Sequence, residues 1–442
     1  MKSRISIRWV IALLPILVLC SCSTAPTDTS APTASVSPSS GTDDRQEDAF
    51  VPDYAPGEAV THSMYYDALA AQQGNWLYYG IKKGKGGWGR DIIVKTPLGK
   101  TAEDRVVLLT QKDLHGDFNL SCRRCGQDTT TYGDIKGILG TLGDWVYMQV
   151  DKHILRLRTD GKIMESVLCL KPDDRTKNTV LMIRDNMLYY LSEEHRPVSA
   201  SQTEDTWTIR KLDLSGGETR DVGAVPVSVE MAGWCGNDVI LRDYKFLDHY
   251  NAYVLGADDS LTLCEKWEFT YGKDSPASFR ILQGCTGEDM LVSGELISMQ
   301  LRGIYRMNRK DLESFAKKSY YIPKSGDRQA ENGVFMPVYD ISPFSAFLLP
   351  GTDDCYPKSS CNTDGGFCFS ESDGLYYYSD TDKAVRKLNG DEADHLLWPG
   401  DGYLYYVCTT KDGSGYYNGV YRIRQDGTGW EDVSWMVAPV NG

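Results

Sequence analysis

Of the 12 cysteines in this chain, Cys122 and Cys125 stand closest to a recognisable chemical pattern, a C-x-x-C pair. Such a pair chelates zinc when a second pair stands at matching spacing. It exchanges electrons when its first thiol opens a helix, where the dipole lowers the thiol pKa. The candidates for a second set, Cys355, Cys361 and Cys368, are spread wider, and Cys122 lies between turn-forming stretches. A local or long-range disulfide is therefore the first reading, buried thiols the second, and metal or redox work the third. No metal and no cofactor is assigned.

The six histidines, at positions 62, 115, 153, 195, 249 and 395, are never closer than 38 residues, and no His-Glu-x-x-His helix exists. No Gly-x-Ser-x-Gly turn offers a hydrolase nucleophile. Gly99-Lys100-Thr101 has the ending of a phosphate loop, but Val94 occupies the position of its first glycine. It reads as a turn. Asp353-Asp354 and Asp380-Thr381-Asp382 lack the alternating oxygen series of a calcium loop and read as solvated hairpin tips. A glycosidase needs two carboxylates across a cleft, and 61 acidic residues single out no pair. A sialidase-like site would need clustered arginines and a nucleophilic tyrosine. Here both residue types fall at repeat positions that strand packing explains. No catalytic residue is assigned.

Lys2, Arg4 and Arg8 precede an apolar run from Trp9 to Cys20, the pattern of a signal peptide too short to span a bilayer comfortably. Leu19-Cys20-Ser21-Cys22 resembles the bacterial lipobox, with Ser21 as its small residue. The resemblance implies cleavage after residue 21 and acylation of Cys22, which leaves ten cysteines in the folded part. Cleavage removes three cations and no acid, taking the formal charge from −14 to −17. So acidic a domain gains nothing from anionic lipid, and the acyl chains must carry membrane attachment. The same balance argues against nucleic acid as a partner. Residues 22–50 are mostly Ser, Thr, Pro, Ala and Asp, too polar to offset their ordering entropy, and read as a flexible tether.

The remainder, 51–442, is expected to be one domain built from a repeat. A Gly/Asp/Asn turn leads into a short aromatic strand, then a hairpin, an alternating second strand and an Asp-Gly-like turn. Gly74-Asn75-Trp76-Leu77-Tyr78, Gly143-Asp144-Trp145-Val146-Tyr147 and Gly402-Tyr403-Leu404-Tyr405 open three of the copies. The copies start at Leu77, Val146, Leu188, Val239, Leu291, Leu375 and Leu404. Intervals of 42, 51 and 52 residues suit a four-stranded unit, those of 69 and 84 need insertions, and the last, 29, is short. In Val420-Tyr421-Arg422-Ile423-Arg424 the aliphatic side chains are expected to share one face. A helix over Asp311–Lys318 is predicted within the irregular stretch Asn308–Phe369.

Small sheets of this kind bury both faces when stacked radially, so the expected fold is an all-β β-propeller of seven blades, with six or eight as alternatives. An eighth would form around Val334–Leu349. Leu375-Tyr376-Tyr377-Tyr378-Ser379-Asp380 and Leu404-Tyr405-Tyr406 with Ile423-Arg424-Gln425-Asp426-Gly427 carry a resemblance to bacterial extracellular propeller repeats. Tyr-Trp-Thr-Asp and TolB-like propellers are more distantly similar. The expectation is a monomeric surface lipoprotein on the extracytoplasmic face of the cell membrane, binding a ligand or protein partner without catalysis. The alternatives are a carbohydrate-active or related hydrolase with its site in the central funnel, and a scaffold in an envelope complex.

Overall fold

The computed structural model describes residues 63–64, 70–82, 91–99, 104–116, 118, 120–122, 125–127, 133–173, 175–199, 202–235, 238–243, 250–267, 269–271, 275–276, 278–286, 289–295, 302–308, 320–322, 349–352, 355, 357–412 and 415–440. The signal peptide, Cys22, the tether, the Asp311–Lys318 helix and nearly all of Val334–Leu349 lie outside them.

The described chain is almost entirely antiparallel β-structure. β1 (Ser63–Met64) is a short strand that pairs with the third blade. Blade one is β2 (Ala70–Gln73), β3 (Trp76–Ile81), β4 (Ile92–Pro97) and β5 (Val106–Thr110), followed by α1 (Gln111–Gly116). Blade two is β6 (Ile135–Leu142), β7 (Trp145–Val150), β8 (His153–Arg158) and β9 (Met164–Cys169). Blade three is β10 (Thr176–Arg184), β11 (Met187–Ser199), β12 (Gln202–Asp213) and β13 (Thr219–Val225). Blade four is β14 (Val229–Cys235), β15 (Asp238–Asp243), β16 (Tyr250–Leu255) and β17 (Leu261–Trp267). β18 (Phe269–Tyr271) and β19 (Ser275–Pro276) come next. Blade five then shows β20 (Ser278–Thr286), β21 (Asp289–Glu295) and β22 (Arg302–Asn308). β23 (Tyr320–Ile322) returns parallel to β18, making a small side sheet. Blade six is β24 (Ser359–Thr363), β25 (Gly366–Glu371), β26 (Gly374–Ser379) and β27 (Ala384–Asn389). Blade seven is β28 (His395–Leu397), β29 (Tyr403–Asp412), β30 (Gly415–Arg424) and β31 (Glu431–Asp432), ending in a 3₁₀ turn, Ser434–Val437.

Two relationships make these sheets a propeller. The first strands β6, β10, β14, β20 and β24 each lie against the first strand before them, as β28 does against β24, which places them on the inside. Successive sheets also share hydrophobic cores: Tyr78 and Ile93 with Met148 and Leu155, Tyr147 with Tyr190, Tyr189 with Val239, and Leu375 with Leu404. The ring then closes, because Leu77, Tyr79 and Val94 of blade one pack with Tyr405, Val407 and Val420 of blade seven. A sheet packed on both sides needs apolar residues at successive positions, hence runs such as Trp-Leu-Tyr-Tyr.

Two expectations are corrected. Leu375-Tyr376-Tyr377-Tyr378 lies in the third strand of its sheet, whereas the strand equivalent to Leu77 is β25 with Phe367-Cys368-Phe369. The sixth copy therefore starts eight residues earlier than the tyrosines suggest, which shortens the long interval before it and lengthens the short one after it. Val420 and Ile423 do not share a face. Val420 packs toward blade one and Ile423 toward blade six. Period two puts Val420 with Arg422 and Tyr421 with Ile423, and both faces are covered.

Candidate functional site

The tyrosines and arginines that repeat along the chain are used inside the blades. In blade two, Tyr147, Arg156 and Glu165 stand in register across three strands, and Arg156 Nε donates to Glu165 Oε2 at 2.7 Å. Blade three repeats the row with Tyr190, Arg210 and Asp221, where Arg210 Nε donates to Asp221 Oδ1 at 2.9 Å. Blade seven repeats it with Tyr405, Arg422 and Glu431, where Arg422 Nη1 donates to the Tyr405 hydroxyl at 3.2 Å.

Third-strand cations also reach the next blade. Lys95 Nζ, in blade one, donates to Thr159 O at 2.8 Å. Arg156 Nη1 donates to Leu214 O at 3.0 Å, and Lys211 pairs with Asp259. Each acceptor belongs to the turn after the following blade's third strand. Aromatic residues opening the second strands lie under these cations: Trp76 under Lys95 at 4.6 Å and Trp145 under Arg156 at 4.4 Å.

Every described carboxyl whose pKa moves, moves down. Burial pushes Asp259 up, but the hydrogen bonds and charges of Lys211, Tyr189 and Arg184 outweigh it and hold the group below its ordinary value. Asp160, Asp173, Asp213, Asp373 and Asp426 are lowered too, by hydrogen bonds from neighbouring side chains and turn amides. Burial and its Asp391 hydrogen bond raise the Tyr406 hydroxyl instead.

One cluster breaks this pattern. Cys122, Cys125, His153 and Cys169 each present a ligand atom within 4.8 Å of the others. His153 opens β8 after the Asp151-Lys152 turn, Cys169 ends β9, and the two are cross-strand partners. Cys122 and Cys125 arrive on the connector between blades one and two. There Gly126 N–H donates to Cys122 O at 2.9 Å and Cys122 N–H donates to Gln127 O at 2.7 Å. Cys125 Sγ lies 3.3 Å from His153 Nε2. His153, Cys122 and Cys169 are buried and Cys125 is half-buried. Burial lowers the His153 pKa, with Asp151 opposing and Lys152 assisting. Burial, with the neighbouring Cys122 and Cys125 thiols, pushes Cys169 up to about 12, opposed by the Lys171 amide that donates to its sulfur.

The remaining sequence candidates fall elsewhere. Cys361 and Cys368 oppose each other across β24 and β25 in the core of blade six and are not brought to Cys122. Cys122, Cys125, Cys169, Cys355, Cys361, Cys368 and Cys408 are thiols and not half-cystines, which corrects the first reading of a disulfide at Cys122 and Cys125. His115 sits in α1, where Gln111 Nε2 is 3.0 Å from its Nε2, and His195 Nδ1 lies 2.6 Å from Asp205. His395 is in β28, and His62 and His249 lie outside the described residues. Gly99 is in a turn with φ of 71°, and Asp380-Thr381-Asp382 forms the β26–β27 hairpin tip. Sequence reasoning missed His153 and Cys169 because it sought a second cysteine pair by spacing.

No family model and no curated protein matches the chain. Among solved structures it is similar to a prolyl endopeptidase at 12% identity and TM-score 0.49, covering 84% of this chain and 49% of that one. It is similar to the acylaminoacyl peptidase of Pyrococcus horikoshii at 12% identity and TM-score 0.45, covering 84% and 52%. It is also similar to the β-propeller domain of the Trilobed protease from Pyrococcus furiosus at 11% identity and TM-score 0.44, covering 86% and 100%. The chain spans about half the length of the two peptidases.

Proposed function

We propose that this chain is a surface lipoprotein, held at the extracytoplasmic face of the cell membrane by acyl chains on Cys22. Its propeller binds an extracytoplasmic ligand or protein partner without transforming it. The anchor rests on Ser21-Cys22 after the apolar run, and on an acidic balance that leaves attachment to the lipid.

The observation that carries the binding reading is the internal commitment of the ionisable residues. A glycosidase in the funnel needs two carboxyls with separated pKa values, one of them raised to act as general acid. The repeated Tyr-Arg-acid rows satisfy one another within blades, and the shifted carboxyls of the described residues are all more firmly ionised. Trp430 adds an exposed aromatic surface, 54% accessible, with Nε1 donating to the Tyr406 hydroxyl at 2.8 Å and its ring stacked on Tyr421.

A glycan array and a pull-down from envelope extract test the binding. Saturable capture that leaves the captured molecule intact is expected. Turnover of any glycan or peptide would replace this reading with a hydrolytic one. Intact mass of membrane-extracted protein tests the anchor: Cys22→Ala should lose the acyl mass and partition into the aqueous phase.

A further inference from the structure

We propose that Cys122, Cys125, His153 and Cys169 form a zinc site that clamps the connector between blades one and two onto blade two. Three sulfurs and one imidazole make a soft donor set suited to tetrahedral Zn²⁺ and poorly suited to calcium or magnesium. With Zn–S of ~2.3 Å and Zn–N of ~2.0 Å, tetrahedral ligand atoms stand about 3.6 Å apart. The four present donors already lie within 4.8 Å of one another, and Cys125 Sγ is 3.3 Å from His153 Nε2. A contraction of about 1 Å at most would seat the ion, which side-chain rotation supplies.

The chain provides all four ligands, so no position is left open for water or substrate. That is the mark of a structural site rather than a catalytic one. Binding releases three thiol protons: Zn²⁺, three thiolates and a neutral imidazole together carry a charge of −1. The Lys171 amide donates to Cys169 sulfur, the kind of outer hydrogen bond that steadies a metal thiolate. His153 would ligate through Nε2, the nitrogen turned toward Cys125, and keep its proton on Nδ1.

The placement explains what the ion does. The connector leaves α1, passes Phe118 and Leu120, which pack against the core shared by blades one and two, and reaches β6 at Ile135. One ion would fix Cys122 and Cys125 to the hairpin end that bears His153 and Cys169. In an oxidising compartment the same three thiols are open to disulfide formation, and zinc would protect them.

The test uses the full-length protein, extracted in detergent and purified without chelator or added metal. Elemental analysis should find one zinc per chain. Stripping and refilling with Co²⁺ should give the ligand-field and sulfur charge-transfer bands of a tetrahedral thiolate site. Cys125→Ser, Cys169→Ser and His153→Ala should each lower zinc occupancy about tenfold or more, whereas Cys355→Ser should not. Circular dichroism checks that each variant folds; where one does not, the Co²⁺ spectrum of the unaltered protein decides. The proposal is overturned by a zinc-free chain without a tetrahedral cobalt spectrum. It also fails if zinc is unchanged in folded Cys125→Ser and Cys169→Ser, or if peptide mapping finds two of Cys122, Cys125 and Cys169 joined as a disulfide. None of these outcomes bears on ligand capture by the propeller, so the two readings stand or fall separately.

Discussion

His153 faces Cys169 because β9 carries one extra residue. Leu155 pairs with Ser166 and Ile154 with Leu168, leaving Val167 as a bulge, after which His153 meets Cys169. A ladder without the bulge would set Leu168 opposite the imidazole. Bulges commonly re-aim side chains at functional positions, and here one brings a sulfur to a nitrogen.

Stripping metal should therefore loosen a defined part of the molecule. Hydrogen–deuterium exchange after chelation should rise in residues 118–127 and at the β8 start and β9 end. Blade six should be unchanged, since both of its cores contain no residue of blades one or two. Uniform acceleration around the ring, or no change near Cys122, would contradict the clamp.

The Asp-Gly turns do more than reverse the chain. Gly161 has φ of 78°, and a Cβ there would stand 2.9 Å from Leu108 O in the last strand of blade one. Gly427, at φ of 83°, meets Leu388 O of blade six in the same way at 3.3 Å. Gly161→Ala combines a left-handed conformation with a backbone clash between blades, and should cost about 2–3 kcal/mol. Gly400→Ala, at φ of 80° with open space around it, should cost only about 1 kcal/mol. Denaturant midpoints compare them, and equal losses would mean that the inter-blade contact is relaxed.

A buried ion cluster predicts a pH effect. Arg184, 2% exposed, donates to Asp259 Oδ1 at 3.3 Å, to the Tyr189 hydroxyl and to Gly256 O, while Lys211 pairs with the same carboxylate. Asp259 has its folded pKa held below the unfolded value. Its stabilisation is present in full above about pH 4 and is lost as pH falls through the folded pKa. Asp259→Asn should lose about 2–4 kcal/mol at neutral pH, because the Arg184 charge stays buried without its carboxylate. Below the folded pKa the difference from the native chain should shrink. Urea midpoints between pH 7 and 3 measure it; a gap that widens on acidification reverses the sign and rejects the assignment.

Much of the fold was legible because a propeller repeats its physics. Gly-Asp-Trp-Val-Tyr marks a turn and a strand wherever it occurs, and the Asp-Gly turns announce the hairpins. The sixth blade misled because Phe367-Cys368-Phe369 lacks the tyrosine signature while its neighbouring third strand has three tyrosines. The face of Val420 misled because alternation separates core from solvent only in a half-buried sheet. The metal cluster was hidden for a different reason. The Cys122 pair was visible, but its partners depend on a bulge and on where a connector lands, neither of which spacing encodes. A useful signal would have been a His at one strand start and a Cys at the adjoining strand end, both on the hairpin that follows the C-x-x-C.

Ring closure gives the last prediction. Blade seven has no disulfide among the described residues to hold it to blade one, so the two ends are joined by packing and by hydrogen bonds. Tyr79 stands at the centre: its hydroxyl lies 2.8 Å from Thr96 Oγ1 and donates to Met436 O at 2.9 Å, bridging β3 to the final 3₁₀ turn. Arg105 Nη1 adds bonds to Trp435, Met436 and Ala438 carbonyls at 2.9, 3.0 and 3.0 Å. Burial raises the Tyr79 pKa to about 12, so the phenol keeps its proton and remains a donor at neutral and moderately alkaline pH. Tyr79→Phe keeps the ring and leaves the Met436 carbonyl without that donor, which should cost about 1–3 kcal/mol. Tyr79→Ala also opens a cavity between first and last blades and should cost about 3–5 kcal/mol. If closure is cooperative, both variants lower one unfolding midpoint without splitting the transition. A separate early transition confined to blade seven would show that the ring can open while the other blades stay folded.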